Sequence, residues 1–315
     1  MIELVDVWKS YGTGQSHAVR GLSFKVQEGE TLILLGPSGC GKTTTLKMIN
    51  RLIEMTSGSI LVKGKDISQE DAVSLRRTMG YVIQNIGLFP HMTVNDNVGI
   101  VPRLLGWDKE RRRKRIDELL ELVGLSSSDF GHRYPAELSG GQQQRIGVAR
   151  ALASDPPVVL LDEPFGALDP ITREQLQGEF KKLKKRLKKT MVFVTHDIFE
   201  AVTLGDRICL MKDGELAQIG TPKEIVTQPA NRFVEDFLGQ HRYQLRLTLS
   251  SLKELFPQED LGPVGDEGLA TVSYEANLVD ALELFEESEK DQVTVENTEG
   301  EILGTLKRAQ VLQKV

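Results

Sequence analysis

Apolar positions in the first 35 residues fall in short Val, Ile, Leu and Phe runs broken by glycine, as in strands and hairpins. They end in the uninterrupted run TLILL (31–35), which reads as a buried strand. From Thr93 to Ser154 the period turns helical. Asp108 caps a helix running to Gly124 and Ser139 caps another running to Ser154, which together make a helical insert. From Pro157 the chain alternates again: VVLLD then a helix, MVFVT then a helix, then RICLMKDGELAQI with a Lys-Asp-Gly-Glu hairpin turn. Strands separated by helices predict an α/β fold built on a mostly parallel sheet. From Gly268 onward the order is strand, helix, strand, Asn-Thr-Glu-Gly turn, strand, helix.

Composition narrows the class. Of 315 residues 40% are hydrophobic and 27% charged, with a net charge of −6, which fits globular domains and excludes disordered, collagen-like and disulfide-scaffold chains. At about 150 residues per domain the length suggests two. No apolar run approaches the roughly 18 residues of a membrane span. Glu3 and Asp6 stand where a secretory leader would be basic and then apolar, so a soluble chain that stays in the cytosol is expected. Cys40 and Cys209 are expected as free thiols.

Charge divides the chain unevenly: residues 241–315 carry −8 and residues 1–240 carry +2. The stretch QPANRFVEDFLGQ (228–240) reads as the last helix of the first domain, which puts the boundary near Gly239. The predicted domains are therefore 1–240, with a helical subdomain at about 86–155, and an acidic unit at 241–315. The basic runs at 111–115 and 181–189 lie on helical patterns with inward Leu or Ile and no interleaved aromatics. They read as solvated faces, with no nucleic-acid partner.

The strand TLILL leads into GPSGCGKTT (36–44), which matches G-x-x-x-x-G-K-[ST]. Gly36, Gly39 and Gly41 let the backbone of Gly36, Pro37, Ser38, Gly39, Cys40 and Gly41 curl its N–H groups toward a polyanion, and the next helix adds its positive end. Lys42 reaches β- and γ-phosphates, Thr43 offers a hydroxyl to Mg²⁺, and Thr44 continues the cradle, so ATP with Mg²⁺ is the expected ligand. A thiol reagent at Cys40 is expected to block nucleotide. In VVLLDEP (158–164), Asp162 is the second metal anchor and Glu163 a general base for the attacking water.

With LSGGQQQR (138–145), GALD (166–169) and VTHD (194–197) in this order, residues 1 to about 240 resemble the ATP-binding-cassette (ABC) ATPases. The resemblance implies a mostly parallel sheet with an antiparallel β subdomain and a helical subdomain. It also implies a homodimer closing on two ATP, in which Ser139, Gly140, Gly141 and Gln142 face the γ-phosphate held by the other protomer. By the same carry-over Tyr11 stacks on adenine, Gln84 senses Mg²⁺ and the attacking water, Asp169 braces the dimer interface, and His196 contacts the γ-phosphate. Each has a plainer reading: Tyr11 as a strand aromatic, Gln84 as a loop amide, Asp169 as an N-cap before Pro170, and His196 as a helix-entry residue. Gly166 departs from the family, where many relatives carry Ser.

LKMINRLIE (46–54), MGYVIQNIGLFPH (79–91) and the segment 85–107 look most similar to the osmoprotectant-importer subgroup, whose substrates are glycine betaine, carnitine, choline or proline. Amino-acid and polyamine importers share much of this wording. Implied partners are integral-membrane permease subunits, docked on Leu88, Phe89, Pro90 and Met92 at the cytoplasmic membrane face, and an extracytoplasmic binding protein. Aromatics are 6% of residues, and Trp8 and Trp107 belong to different subdomains, so a cage for a quaternary ammonium lies outside this chain. The acidic unit resembles a single cystathionine-β-synthase-type (CBS) repeat. It reads either as an ionic-strength sensor or as a solubilising dimer tail. A soluble cassette factor acting on nucleic acid or ribosome and a non-hydrolysing regulator are the competing functions.

Overall fold

The computed structural model describes residues 1–12, 17–84, 87–166, 168–263 and 268–314. It divides into two compact units, Met1–Ile225 and Val226–Val315. Among the described residues no helix is long and apolar enough to cross a membrane.

In the first unit, β1 (Ile2–Ser10) and β2 (His17–Val26) pair antiparallel. The buried β3 (Thr31–Leu35) then leads into α1 (Lys42–Ile49). Strands β4 (Ser57–Val62) and β5 (Lys65–Asp66) complete an antiparallel sheet of order β2-β1-β4-β5. After α2 (Ala72–Arg77) and β6 (Met79–Val82) comes the helical insert: α3 (Val94–Leu104), α4 (Lys109–Leu122), α5 (Ser127–Phe130) and α6 (Gly140–Leu152). Asp108 and Ser139 cap α4 and α6 as their sequence predicts, each side chain accepting a backbone N–H of the first turn.

Alternation then resumes with β7 (Val158–Asp162), α7 (Pro170–Leu187), β8 (Thr190–Val194), α8 (Ile198–Leu204), β9 (Arg207–Lys212) and β10 (Glu215–Gly220). The second sheet has the order β10-β9-β3-β8-β7-β6, parallel throughout except for the edge strand β10. Strands β3, β7 and β8 are buried at every residue, as uninterrupted apolar runs are when both sheet faces are covered. A core joins the two sheets, with Ile2, Leu4, Leu22 and Val26 on the antiparallel side. Leu32, Leu34, Leu160 and Val192 line the parallel side, and Leu46 and Ile49 come from α1.

Because β6, β7, β8 and β3 are parallel neighbours in register, with Val82 opposite Leu161, Asp162 opposite Val194 and Leu34 opposite Val194, their carboxyl ends lie along one edge. In open α/β sheets that edge is where ligands bind.

The helix α9 (Pro222–Thr227) spans the division between the units, and α10 (Arg232–Leu238), expected as the last helix of the first domain, groups with the second. The second unit continues with α11 (Arg242–Leu249), α12 (Leu252–Leu255), β11 (Thr271–Ser273), α13 (Leu278–Ser288), β12 (Gln292–Glu296), β13 (Ile302–Lys307) and α14 (Arg308–Leu312). Strand β12 is central, parallel to β11 and antiparallel to β13. Phe256, Leu278, Phe285, Val293, Val295, Leu306 and Val311 fill its core. The element order from Gly268 onward is the one its apolar pattern predicts.

Candidate functional site

The loop between β3 and α1 is shaped by glycine where no other residue fits. At Gly36 (φ +148°) a Cβ would run into the Met211 carbonyl oxygen, and at Gly41 (φ +101°) into that of Ala18. Gly41 is also the N-cap of α1 and brings no side-chain cap, so the first-turn N–H groups stay open to an anion. Lys42, 5% exposed, curls back over this loop and donates to the carbonyls of Gly36 (2.7 Å) and Pro37 (2.9 Å). An ammonium bonded to two carbonyls is a cation ready to exchange them for stronger phosphate acceptors. Cys40 and Cys209 are free and buried. Burial pushes the Cys40 thiol above its ordinary range and Cys209 up to about 12. A thiol reagent therefore meets a buried, protonated Cys40.

Across the edge, Thr43 Oγ1 donates to Asp162 Oδ1 (2.8 Å) and the Tyr81 hydroxyl faces Oδ2 at 3.4 Å. Asp162 is 3% exposed, and desolvation pushes its carboxyl up; the charge of Glu163 adds to this, while the Thr43 bond and the charge of Lys47 oppose it. The next residue, Glu163, turns left-handed (φ +43°), and its N–H donates to the Val194 carbonyl (3.0 Å). This turn places its carboxylate between two side chains. Gln84 Nε2 donates to Oε2 at 3.1 Å, and His196 Nδ1 lies 3.5 Å from the same oxygen.

Several residues that the sequence did not single out hold these groups. Asn97, fully buried, accepts from Phe89 N (2.8 Å) and donates to the carbonyls of Phe89, Met92 and Thr93, fixing the segment beyond Gln84. Glu200 accepts from Thr195 Oγ1 (2.5 Å) and Gln177 Nε2 (2.9 Å), anchoring the loop that carries His196; burial pushes the Glu200 carboxyl up. Arg173 donates from Nη2 to the carbonyls of Gly166 (3.4 Å) and Leu168 (3.5 Å), with Nη1 4.0 Å from Asp197. It thereby links the loop after Glu163 to the one after His196. The local sequence carries no signal for Asn97 or Glu200, whose partners are set by tertiary packing.

Other predicted residues stand apart. Ser139 and Gln142 form a reciprocal capping box at the start of α6, Gln142 N donating to Ser139 Oγ (3.3 Å) and Ser139 N to Gln142 Oε1 (2.9 Å). Gly141 lets α6 approach α7, since a Cβ there would sit 2.9 Å from a Thr172 methyl. Asp169 caps α7 by accepting from Thr172 N (3.0 Å), which holds its carboxyl below the usual range. Tyr11 is 55% exposed beside the Lys9 ammonium, 5.1 Å from the ring centroid. Among the described residues no hydrogen bond or ion pair links the Lys42, Asp162 and Glu163 cluster with residues 139–142, with Asp169 or with Tyr11. Of the predicted docking surface, Phe89 and Pro90 are exposed and Leu88 and Met92 half-buried, while Asn85, Ile86 and, in GALD, Ala167 lie outside the described residues.

Residues 19–166 match a family model described as ABC transporter. Over 305 residues, 96% of this chain and 77% of the relative, the sequence is 50% identical to the glycine betaine/carnitine/choline transport ATP-binding protein OpuCA of Bacillus subtilis. Over 307 residues, 97% of both chains, it is 48% identical to the glycine betaine uptake system ATP-binding protein YehX of Escherichia coli. Among solved structures it is similar to the dimeric ATP-binding cassette MJ0796 in a post-hydrolysis state with ADP and Pi (TM-score 0.63, 38% identity, covering 70% of this chain and 98% of that one).

Proposed function

The chain belongs to the family of ABC transporter ATP-binding proteins, and from that premise we propose that it is the ATP-hydrolysing motor of an importer for osmoprotectants of the glycine betaine, carnitine and choline class. The observation that carries the catalytic part is the convergence of Lys42, Thr43 with Asp162, and Glu163 with Gln84 and His196 at the carboxyl edge of the parallel strands. The substrate class rests on the roles of relatives matched over nearly the whole chain.

In this reading the Gly36–Thr44 backbone and Lys42 hold the ATP phosphates, and Tyr11 stacks on the adenine. A water oxygen attacks the γ-phosphorus while the bond to the β,γ-bridging oxygen breaks, giving ADP and phosphate; Glu163 takes the water's proton. Gln84 and His196 orient that carboxylate, with His196 also facing the γ-phosphate. The donor set at Thr43 and Asp162, two adjacent hard oxygens, fits Mg²⁺, which favours one or two protein oxygens plus phosphates and waters. Thr43 and Asp162 would hold the ion, whose positive charge would offset that of the phosphates. Gln84 would sense that ion and the attacking water. Ser139, Gly140, Gly141 and Gln142 of a second copy cover the γ-phosphate, with Asp169 at the interface.

Leu88, Phe89, Pro90 and Met92 dock a permease at the cytoplasmic membrane face, and a separate extracytoplasmic protein selects the substrate. Residues 241–315 form a regulatory unit of the CBS-repeat type. Its −8 charge supports ionic-strength sensing, because screening shortens from about 10 Å at 0.1 M to about 3 Å at 1 M salt.

The test is labelled glycine betaine uptake at high osmolarity in cells lacking other carriers, supplied with the permease and either this chain or its Glu163→Gln form. Uptake is expected only with the former. Equal uptake with both removes the motor assignment, and ATP-dependent uptake of an amino acid or polyamine instead moves the substrate class.

Asp162 gives a second prediction. Because burial raises its carboxyl pKa, the folded chain binds that proton more tightly than the unfolded chain, so this group contributes stability at low pH that is lost as pH rises through the raised value. Asp162→Asn removes the buried charge and is expected to keep or raise the nucleotide-free melting temperature at pH 7, while the gain in ATP affinity on adding Mg²⁺ disappears. A lower melting point with the Mg²⁺ effect intact would make Asp162 purely structural.

A further inference from the structure

The imidazole of His196 has one polar contact among the described residues, Glu163 Oε2 at 3.5 Å, and its side chain is 55% exposed. A ring so exposed takes its direction from the backbone that carries it, so the turn at 195–197 decides where the imidazole faces.

The pivot of that turn is the Thr195 hydroxyl. It accepts from Asp197 N (3.0 Å), a Ser/Thr-type turn with His196 at its apex, and it donates to Glu200 Oε2 (2.5 Å). A hydroxyl has a single proton. Because Glu200 takes it, a lone pair is left for Asp197 N. Thr195 N donates to the Leu34 carbonyl of β3 (3.1 Å), which fixes the near side of the turn to the sheet.

Glu200 is 4% exposed, and its other oxygen accepts from Gln177 Nε2 of α7 (2.9 Å). Arg173, one turn earlier on the same face of α7, has Nη1 4.0 Å from Asp197 Oδ2. Helix α7 therefore meets the turn and the helix after it at two points. Burying a carboxylate is a costly way to join two helices, and well-packed apolar side chains of similar size do it more cheaply. What the carboxylate adds is direction, since it orients the Thr195 proton and through it the backbone on both sides of His196.

We propose that Gln177, Glu200 and Thr195 are positioning residues for His196, a chain of bonds by which α7 holds the imidazole toward Glu163 and the γ-phosphate. The inference rests on the motor reading above and assigns to that site three residues that touch no nucleotide themselves.

The experiment is steady-state ATP hydrolysis by the full chain, with nucleotide affinity and melting temperature measured on the same samples. Thr195→Val keeps the shape and removes the hydroxyl. It is expected to lower kcat about 10- to 100-fold, as a small misplacement near reacting atoms does, with ATP affinity within a few-fold of wild type. Thr195→Ser restores the hydroxyl and is expected to stay within about threefold of wild-type turnover. Gln177→Glu, at a half-buried position, covers the case in which Thr195→Val does not fold. It sets two carboxylates face to face and is expected to lower kcat several-fold, whereas Gln177→Glu with Glu200→Gln exchanges donor and acceptor and is expected to recover most of the loss. The discriminating readout is a double-mutant cycle. In a His196→Ala background Thr195→Val and Gln177→Glu are expected to cause no further loss, because groups that act through His196 cannot be additive with its removal. Wild-type turnover in Thr195→Val and Gln177→Glu, or losses that add to that of His196→Ala, overturn the proposal alone, provided that the wild type hydrolyses ATP and Glu163→Gln does not. Absence of hydrolysis by the wild type overturns the motor reading and the proposal with it.

Discussion

Glu163→Gln is expected to cut ATP turnover by about 10²–10⁴-fold, the range a positioned general base contributes, while ATP affinity stays within a few-fold of wild type. The substitution keeps the size and planarity of the side chain and removes only its basicity. It also spares the backbone. Glu163 holds its left-handed φ because its N–H is bonded to Val194 on the neighbouring strand, a bond the side chain does not enter. Gln84 and His196 both address Oε2, and an amide retains one oxygen for them. With the cradle of Gly36 to Thr44 and the Thr43–Asp162 pair intact, ATP should bind, fail to turn over and accumulate a closed dimer. Phosphate release gives the first quantity, and sedimentation with Mg²⁺ and ATP gives the second. Undiminished hydrolysis would remove Glu163 from the role of base and transfer it to whichever group next faces the attacking water.

Much of the architecture around that carboxylate is legible in short segments. TLILL and VVLLD are apolar at every position or nearly so, and both are buried on both faces of the sheet, which is what a parallel strand covered by helices requires. Asp108, Ser139 and Asp169 announce their helices because a capping side chain and its N–H partner lie within three residues. What stays hidden is whatever depends on residues far apart in the chain. Arg173 joins the loop after Glu163 to Asp197, and the buried Glu200 becomes intelligible only when Gln177, 23 residues earlier, arrives beside it. The expected boundary near Gly239 and the division at Val226 differ for the same reason. Arg242 of α11 reaches back to the carbonyls of Val226 (3.0 Å) and Thr227 (3.3 Å), binding α10 and its flanks into the second unit, and no local periodicity records that return.

Lys42→Ala is expected to show the opposite pattern to Glu163→Gln: ATP affinity falls by about 10²-fold, with the fold preserved. Hydrogen bonds to charged groups contribute about 1.5–3 kcal/mol each, and each 1.4 kcal/mol is a factor of ten, so two lost bonds to phosphate oxygens allow a loss of 10² to 10⁴. The low end applies here. Before it meets ATP, the ammonium must leave the Gly36 and Pro37 carbonyls that it holds at 2.7 and 2.9 Å, so part of its attraction to phosphate is spent on that exchange. The same two bonds offset the cost of a buried cation in the nucleotide-free protein, and deleting cation and bonds together should move the melting temperature by only a few degrees. Fluorescent-nucleotide titration and thermal melting measure both quantities on one sample. Retained affinity would mean that the loop backbone and the α1 terminus alone bind the phosphates. Lost affinity with Glu163→Gln still binding would separate the group that holds ATP from the group that cleaves it, and the 163-to-42 contrast tests both assignments with a single pair of assays.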